Sequence, residues 1–251
     1  MVRRKVKQNH VVTYNNELNT NFDFSKFNET DLNFFFAIIS AMRGNTSRVV
    51  VFDVNDIKKI IQFSSRSKER WMKAVKSAIA HISKIQYVST DNEIYTVTQL
   101  FSKFKYDMNK QTITVEVQND FNYIIDFALT KGNWTRFDLE IFVSLRSIYS
   151  KTAFRFIKQW DRVGNFTMSI EDFRKNFYVK AGYDTNDIQG RIISVMLKEL
   201  KPIYPMLKIV PNRDSSGSGR PISSYTFSWR NAPEISVPNC DFIPYEDSNY
   251  Q

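Results

Sequence analysis

The chain has 251 residues, of which 42% are hydrophobic and 15% aromatic, including 21 Phe and 12 Tyr. That much apolar material excludes a disordered chain and fits one large domain or two small ones. An excess of 35 Lys and Arg over 26 Asp and Glu gives a net charge of +9, which favours polyanionic partners, nucleic acid before anionic membrane.

Cys240 is the single cysteine. An internal disulfide and a Cys-rich zinc site are therefore excluded, and a reducing, cytoplasmic location is expected. The basic start, Met1-Val-Arg-Arg-Lys-Val-Lys, runs into polar Gln8-Asn9-His10 without the apolar core of a signal peptide. No apolar run approaches the roughly 20 residues of a membrane span, so no membrane partner is expected. With only 7 Gly and 7 Pro, sharp turns are few, and the fold class expected is helix-rich α+β.

In chain order, residues 1–20 read as a polar, basic arm. Leu32 to Met42 reads as a buried helix, with Thr30 or Asp31 as its cap. Arg48 to Phe52, rich in Val, reads as a strand. A short helix follows from Asp56 to Phe63, then a longer one from Ser67 to Ile85. Trp71, Ala74, Val75, Ala78, Ile79 and Ile82 recur there at helical spacing. Extended segments follow from Ile94 to Tyr106 and from Gln111 to Gln118, joined by a turn at Asp107-Met-Asn-Lys110. Asp120 to Leu129 returns to helix. Short helix, turn, long basic-faced helix and hairpin is the order of a winged helix-turn-helix.

Lys131-Gly132-Asn133 reads as a boundary, after which the order recurs. Thr135 to Trp160 is predicted helical, with a break near Ser147–Ser150. Phe166 to Met168 is a strand. Ser169-Ile-Glu-Asp172 resembles a capping box opening a short helix to Phe177. Thr185 to Leu200 is a longer helix. Strands at Lys208–Val210 and Ser224–Trp229 flank a loop from Pro211 to Pro221. The expected organisation is two tandem winged-helix domains related by a pseudo-two-fold, residues 21–131 and 132–230. A flexible tail from 231 to 251 would follow.

The helix over 185–200 is the most informative candidate. Ile188, Ile192, Val195, Met196, Leu200 and Ile203 share one side; Asp187, Gly190, Arg191, Ser194, Lys198 and Lys201 share the other. An apolar side docks on its own domain while the polar side enters a major groove, where Arg191 can bond guanine and Asn186 adenine. Gly190 costs the helix about 1 kcal/mol relative to Ala, and a close approach to DNA would give the reason. An ordinary amphipathic helix has the same periodicity; the short helix before it and the hairpin after it favour recognition. Arg213 and Arg220, in the loop, suit a wing lying along phosphates. Arg66, Lys68, Arg70, Lys73 and Lys76 form a second basic helix whose natural partner is the phosphate backbone. Lys151 and Arg155, with Lys158, are candidates for backbone contacts from the helix before the second turn. In each case a solvated face is the competing reading.

No motif points to catalysis. A G-x-x-x-x-G-K-[ST] loop is missing, and the two histidines, His10 and His81, are far apart. A binding protein without metal or cofactor is expected, not an enzyme.

Two segments resemble a known family. Val12-Thr-Tyr-Asn-Asn-Glu-Leu-Asn19 with Phe27-Asn-Glu-Thr-Asp-Leu-Asn-Phe34 is one. Leu145-Arg-Ser-Ile-Tyr-Ser-Lys-Thr-Ala-Phe-Arg-Phe-Ile-Lys-Gln-Trp160, followed by Ser169-Ile-Glu-Asp-Phe-Arg174, is the other. Both are similar to the initiator replication proteins of theta-replicating, iteron-containing plasmids, in their small Gram-positive-type form. The resemblance spans about 10 to 230. It implies two winged-helix domains, and binding to directly repeated origin DNA with base reading by the helix over 185–200. It also implies a monomer–dimer equilibrium with repression of the protein's own gene, and contacts to host initiator and helicase proteins. A winged-helix transcriptional repressor with no role in initiation is the alternative.

Overall fold

The computed structural model describes residues 11–42, 48–91, 93–118, 134–214 and 221–229. The expected helix at 120–129, the boundary at 131–133, Arg220, Cys240 and the tail lie outside them.

Residues 11–20 are not part of an arm. Val11–Asn15 form strand β1, all buried, paired antiparallel with β7 (Trp134–Asp138), so that Val12 faces Phe137 and Tyr14 faces Thr135. Glu17–Thr20 form the short helix α1, and Leu18 and Asn19 are buried. The apolar Val11, Val12, Tyr14 and Leu18 explain the difference, since burying them outweighs the basic character of the residues before them. The same pairing corrects the start of the helix expected over Thr135–Trp160: 134–138 is a strand. Helix α5 (Leu139–Ser144) follows, then an extended break at 145–147, then α6 (Ile148–Gln159) capped by Ser147.

The first unit runs α2 (Glu29–Met42), β2 (Val49–Asp53), α3 (Val54–Ile60), α4 (Lys68–Ile82), β5 (Phe101–Asp107) and β6 (Thr112–Val117). A hairpin of β3 (Gln86–Asp91) and β4 (Ile94–Gln99) intervenes before β5; the sequence reading has its second arm but misses its first. The second unit runs α6, β8 (Asn165–Ser169), α7 (Ile170–Asn176), α8 (Thr185–Leu200), β9 (Lys208–Arg213) and β10 (Ile222–Ser228). Sheet order is β2-β6-β5 in the first and β8-β10-β9 in the second, all antiparallel. In each, the strand before the short helix pairs with the last strand, and the first strand of the wing lies at the edge. This is the winged helix-turn-helix, built twice.

The repetition reaches single hydrogen bonds. Each short helix ends in a residue with positive φ, Gln62 at 53° and Tyr178 at 51°. After α3, Phe63 N–H donates to Lys58 O and Gln62 N–H to Lys59 O; after α7, Val179 N–H donates to Arg174 O and Tyr178 N–H to Lys175 O. Both are Schellman ends closed without glycine, and they aim the chain at the long helix. Each long helix opens on a side-chain cap: Ser67 Oγ accepts from Arg70 N–H at 3.2 Å, and Asp184 Oδ1 from Asp187 N–H at 2.8 Å. Helix α2 is capped by Asn28 rather than Thr30 or Asp31. Asn28 Oδ1 accepts from Asp31 N–H and Asp31 Oδ2 from Asn28 N–H, both at 3.0 Å, a reciprocal box whose cap lies two to three residues earlier than expected.

The buried side chains of the two units form one continuous core, from Val12 to Trp229. Phe36 of α2 stands 4.8 Å from Phe142 of α5 and 5.5 Å from Phe137 of β7, centroid to centroid. The β1–β7 ribbon, α2 and α5 thus make an aromatic joint between the two winged units.

Candidate nucleic-acid interface

The surface that matters lies on the two long helices. Helix α8 buries Ile188, Ile192, Ile193, Met196 and Leu200 against its own unit. Asn186, Gly190, Arg191, Ser194 and Lys198 are all exposed, and so are Thr185, Gln189 and Lys201. Its outward face is therefore free of the protein interior. It is not a uniform α-helix: Ile188–Ile193 form a π stretch between α-helical Thr185–Asp187 and Ser194–Leu200. Ser194 donates both its N–H and, at 2.9 Å, its hydroxyl to Gln189 O, five residues back. Both Ile192 and Ile193 are buried in this stretch. Such turns concentrate at functional sites.

Arg191 is held in place. Its Nε donates to Asp187 Oδ1 at 2.8 Å, and its guanidinium lies 5.4 Å from the Tyr183 ring centroid, while 66% of the side chain remains exposed. Asp187, with a smaller contribution from Tyr183, holds the guanidinium above its already high range. A planar donor array prepositioned by a neighbouring acid suits bidentate recognition of a base edge. At Gly190 an added Cβ would meet nothing within 4 Å, so nothing inside the protein requires glycine there. Gln189, beside Gly190 on this face, is a polar group the sequence reading overlooks; its place one turn after Asn186 is the signal that could have found it.

Helix α4 buries Trp71, Val75, Ala78 and Ile82. Arg66, Lys68, Arg70, Lys73 and Lys76 are all exposed, with Lys59 and Lys84 exposed nearby. Trp71 is core, covered by Phe34, Phe63 and the ammonium of Lys58 at 4.7 Å. His81 leaves this helix for the joint: its Nδ1 lies 2.6 Å from Asp31 Oδ2, a contact no sequence spacing announces.

The wing of the second unit is the β9–β10 hairpin. Asn212 Nδ2 donates to Ser224 Oγ and Thr226 Oγ1, each at 2.9 Å, and Arg213 is exposed at the end of β9. Arg220 lies outside the described residues.

Lys151 and Arg155 do not belong to this surface. They are 0% and 1% exposed. Lys151 Nζ donates to Phe142 O at 2.6 Å and lies 4.5 Å from the Phe142 ring. The Arg155 guanidinium sits over Phe24 at 4.7 Å and Phe36 at 5.6 Å, in the joint. Their helix packs between α8 and β7, and these two cations lie against rings of α5, α2 and the N-terminal segment rather than in solvent. Lys158 is partly covered too, paired with Asp161 at 3.0 Å.

Among the described residues no group of three or more His, Cys, Asp and Glu could hold a metal ion, and no helix is long and apolar enough to cross a membrane. Two winged helix-turn-helix units, each presenting a polar long helix and joined by a common core, define a tandem winged-helix protein of the nucleic-acid-binding type.

Comparison with known proteins narrows the class. The profile described as "Initiator Replication protein, WH1" matches residues 11–158, more than half of the chain, so the protein belongs to the initiator replication protein family. The match runs from β1 through its partner strand β7 and into α6. The chain is 24% identical over 230 residues to the probable replication protein rep of Bifidobacterium longum (strain NCC 2705), covering 90% of this chain and 75% of that one. The fold is similar to that of the Pi initiator protein in its crystal structure with iteron DNA. The TM-score is 0.69 at 13% identity, over 88% of this chain and 97% of that one.

Proposed function

We propose that this protein initiates replication of a plasmid by binding directly repeated double-stranded DNA, iterons, at the origin. Helix α8 reads base edges with Asn186, Arg191 and Ser194, and α4 holds phosphates with Arg66, Lys68, Arg70, Lys73 and Lys76. Strain imposed on an adjoining AT-rich segment opens the origin, and host initiator and helicase proteins then load. The same binding represses the protein's own gene, with dimers and monomers in equilibrium. The protein acts in the cytoplasm by binding and not by catalysis.

One observation carries the reading: the outward face of α8 is exposed and supports a prepositioned arginine beside a glycine the fold does not need. A gel shift of Arg191→Ala on an iteron array tests it. A bidentate contact is worth about 1–3 kcal/mol, so the variant should bind the repeats about 5- to 150-fold more weakly and discriminate less among sequences. Unchanged affinity with unchanged preference removes Arg191 from the interface. Initiation is separated from simple repression by replicon maintenance: loss of the gene should abolish self-replication of a circle carrying the repeats, not merely raise transcription.

A further inference from the structure

The two winged units repeat each other closely, and they differ at one matching residue. Their short helices end at Gln62 and Tyr178, both with positive φ. Gln62 is exposed, whereas Tyr178 is half-buried and its hydroxyl accepts the Phe24 N–H at 2.7 Å. An aromatic residue in the left-handed region is disfavoured and persists where its surroundings hold it. Phe24, which holds Tyr178, belongs to the segment between β1 and α2. Its ring lies 5.2 Å from Phe27 and 5.3 Å from Phe35 of α2, inside the first unit. The Arg155 guanidinium of α6 lies over the same ring at 4.7 Å. Phe24 is thus anchored by its ring in the first unit and by its backbone on the turn that leads into α8.

A second strut has the same form. The Tyr14 ring lies 5.6 Å from Phe36 of α2, and its hydroxyl donates to Asn19 Oδ1 at 3.0 Å. Asn19 Nδ2 in turn donates to Oε1 of Gln159, the last residue of α6, at 2.8 Å. Apolar packing between the units supplies attraction without direction. A hydrogen bond weakens steeply off its axis, and a buried N–H without a partner is costly, so the two struts fix an angle as well as a contact.

We propose that Tyr178 and Gln159 are positioning residues. Through the Phe24 N–H and Asn19 they latch the helix-turn-helix of the second unit to the first, and so set the spacing at which α4 and α8 engage successive grooves of one duplex. Neither residue need touch DNA.

The latch can be tested on the full chain without DNA. Spin labels at Ala80→Cys on α4 and Lys201→Cys at the end of α8, in a Cys240→Ser background, report the distance between the units by pulsed electron resonance. A control pair, Glu171→Cys on α7 with Lys201→Cys, reports the second unit alone. Wild type should give one narrow distribution for each pair. Tyr178→Phe keeps the ring and loses the acceptor; Gln159→Met keeps the length and loses the acceptor. Each should shift or broaden the distribution between the units, and the double variant most, while the control pair stays narrow. Gln159→Glu, which retains an acceptor, should match wild type. An unchanged distribution between the units in the double variant overturns the proposal, and so does equal broadening of the control pair.

The second arm rests on the DNA-binding reading above. It measures affinity for an iteron and for the same iteron with one base pair inserted at its centre, which rotates the second contact by roughly 34–36°. The double variant should lose about tenfold on the native spacing, tolerate the insertion better, and bind random duplex as before. Wild-type spacing preference retained in the double variant overturns the proposal. A wild type with no preference for the repeat, beside a distance distribution that does respond, would instead remove the iteron reading and leave the latch in place.

Discussion

Helices α4 and α6 read alike: they are helices of 15 and 12 residues with cations spaced among apolar positions, and each lies in a winged unit. On α4 the cations Lys68, Arg70, Lys73 and Lys76 are all exposed, whereas on α6 Lys151 and Arg155 are buried. The difference lies in what covers the helix. Helix α4 packs one face on α2 and leaves the other open; α6 packs on α8 and β7, and its inward cations lie against the rings of Phe142, Phe24 and Phe36. Charge along a sequence therefore locates a polyanion surface only after the topology has said which helices are outermost, and in a tandem winged fold those are the long helices before each wing.

Truncating the buried cation should break this contrast most visibly. Arg155→Ala removes a side chain filling the space over Phe24 and Phe36, and should destabilise the fold by about 2–5 kcal/mol, as large-to-small core changes do. Arg70→Ala on α4 should stay within about 0.5 kcal/mol. Chemical denaturation of the two variants decides; equal effects would mean the two helices are not differently placed. Arg155→Met should lose much less than Arg155→Ala, because Nε and Nη1 have no hydrogen-bond partner among the described residues and the stem's volume is retained.

Lys151 sharpens the contrast through pH. Burial pushes its ammonium down from 10.5 to about 7, against the pull of Glu29 and Glu199. Between about 7 and 10.5 the unfolded chain binds a proton that the folded chain refuses, so this group makes stability fall as pH is lowered through that window and adds no further change below it. Lys151→Met should remove the slope and gain about 1–4 kcal/mol on wild type near pH 7, with little gain at pH 10.5. Melting curves across that range check it; a gain that does not depend on pH would show the amine to be charged throughout.

These burials mark the limit of what the sequence displays. The long helices, both wings and the Ser169 cap of α7 are legible because periodicity and turn chemistry are local: Ser169 caps within three residues of itself. The exposed face of α8 is legible for the same reason. Strand β7 is not legible: its alternation appears only in burial, its partner lies at 11–15, and apolar Leu139–Val143 beside it draws the whole stretch into a predicted helix. What surrounds Lys151 and Arg155 is not legible at all. Phe24, Phe36 and Glu29 come from more than a hundred residues away, and no local pattern says that they will cover α6. The π turn in α8 is equally hidden, because its extra residue shows only as one more isoleucine on the buried side.

Lys73→Ala on α4 addresses the other half of the comparison, the exposed cations. One lost phosphate contact should weaken binding to iteron and random duplex alike and make the salt dependence shallower by about 0.9 in log K against log salt. Thermal stability should not move, since Lys73 is exposed and its removal uncovers no core. A loss confined to the iteron would place Lys73 on a base edge and make α4 a second reading helix.

Gly190→Ala should give a small stability change, and one of opposite sign to its effect on binding. Alanine at an exposed helical position is favoured over glycine by about 1 kcal/mol, and here the new methyl meets nothing within 4 Å of the protein. The π turn trims that gain, because residues there are wound less tightly than the α-helices in which the preference was measured. Gly190→Ala should therefore melt at or slightly above the wild-type temperature. If α8 lies in the groove with its backbone close to the duplex at this point, the same methyl must displace DNA, and binding to the repeat should fall while that to random duplex holds. A core glycine would give lower stability and lower binding together, and an indifferent surface glycine would give neither loss. Only a glycine kept for an outside partner gives a protein that folds better and binds worse.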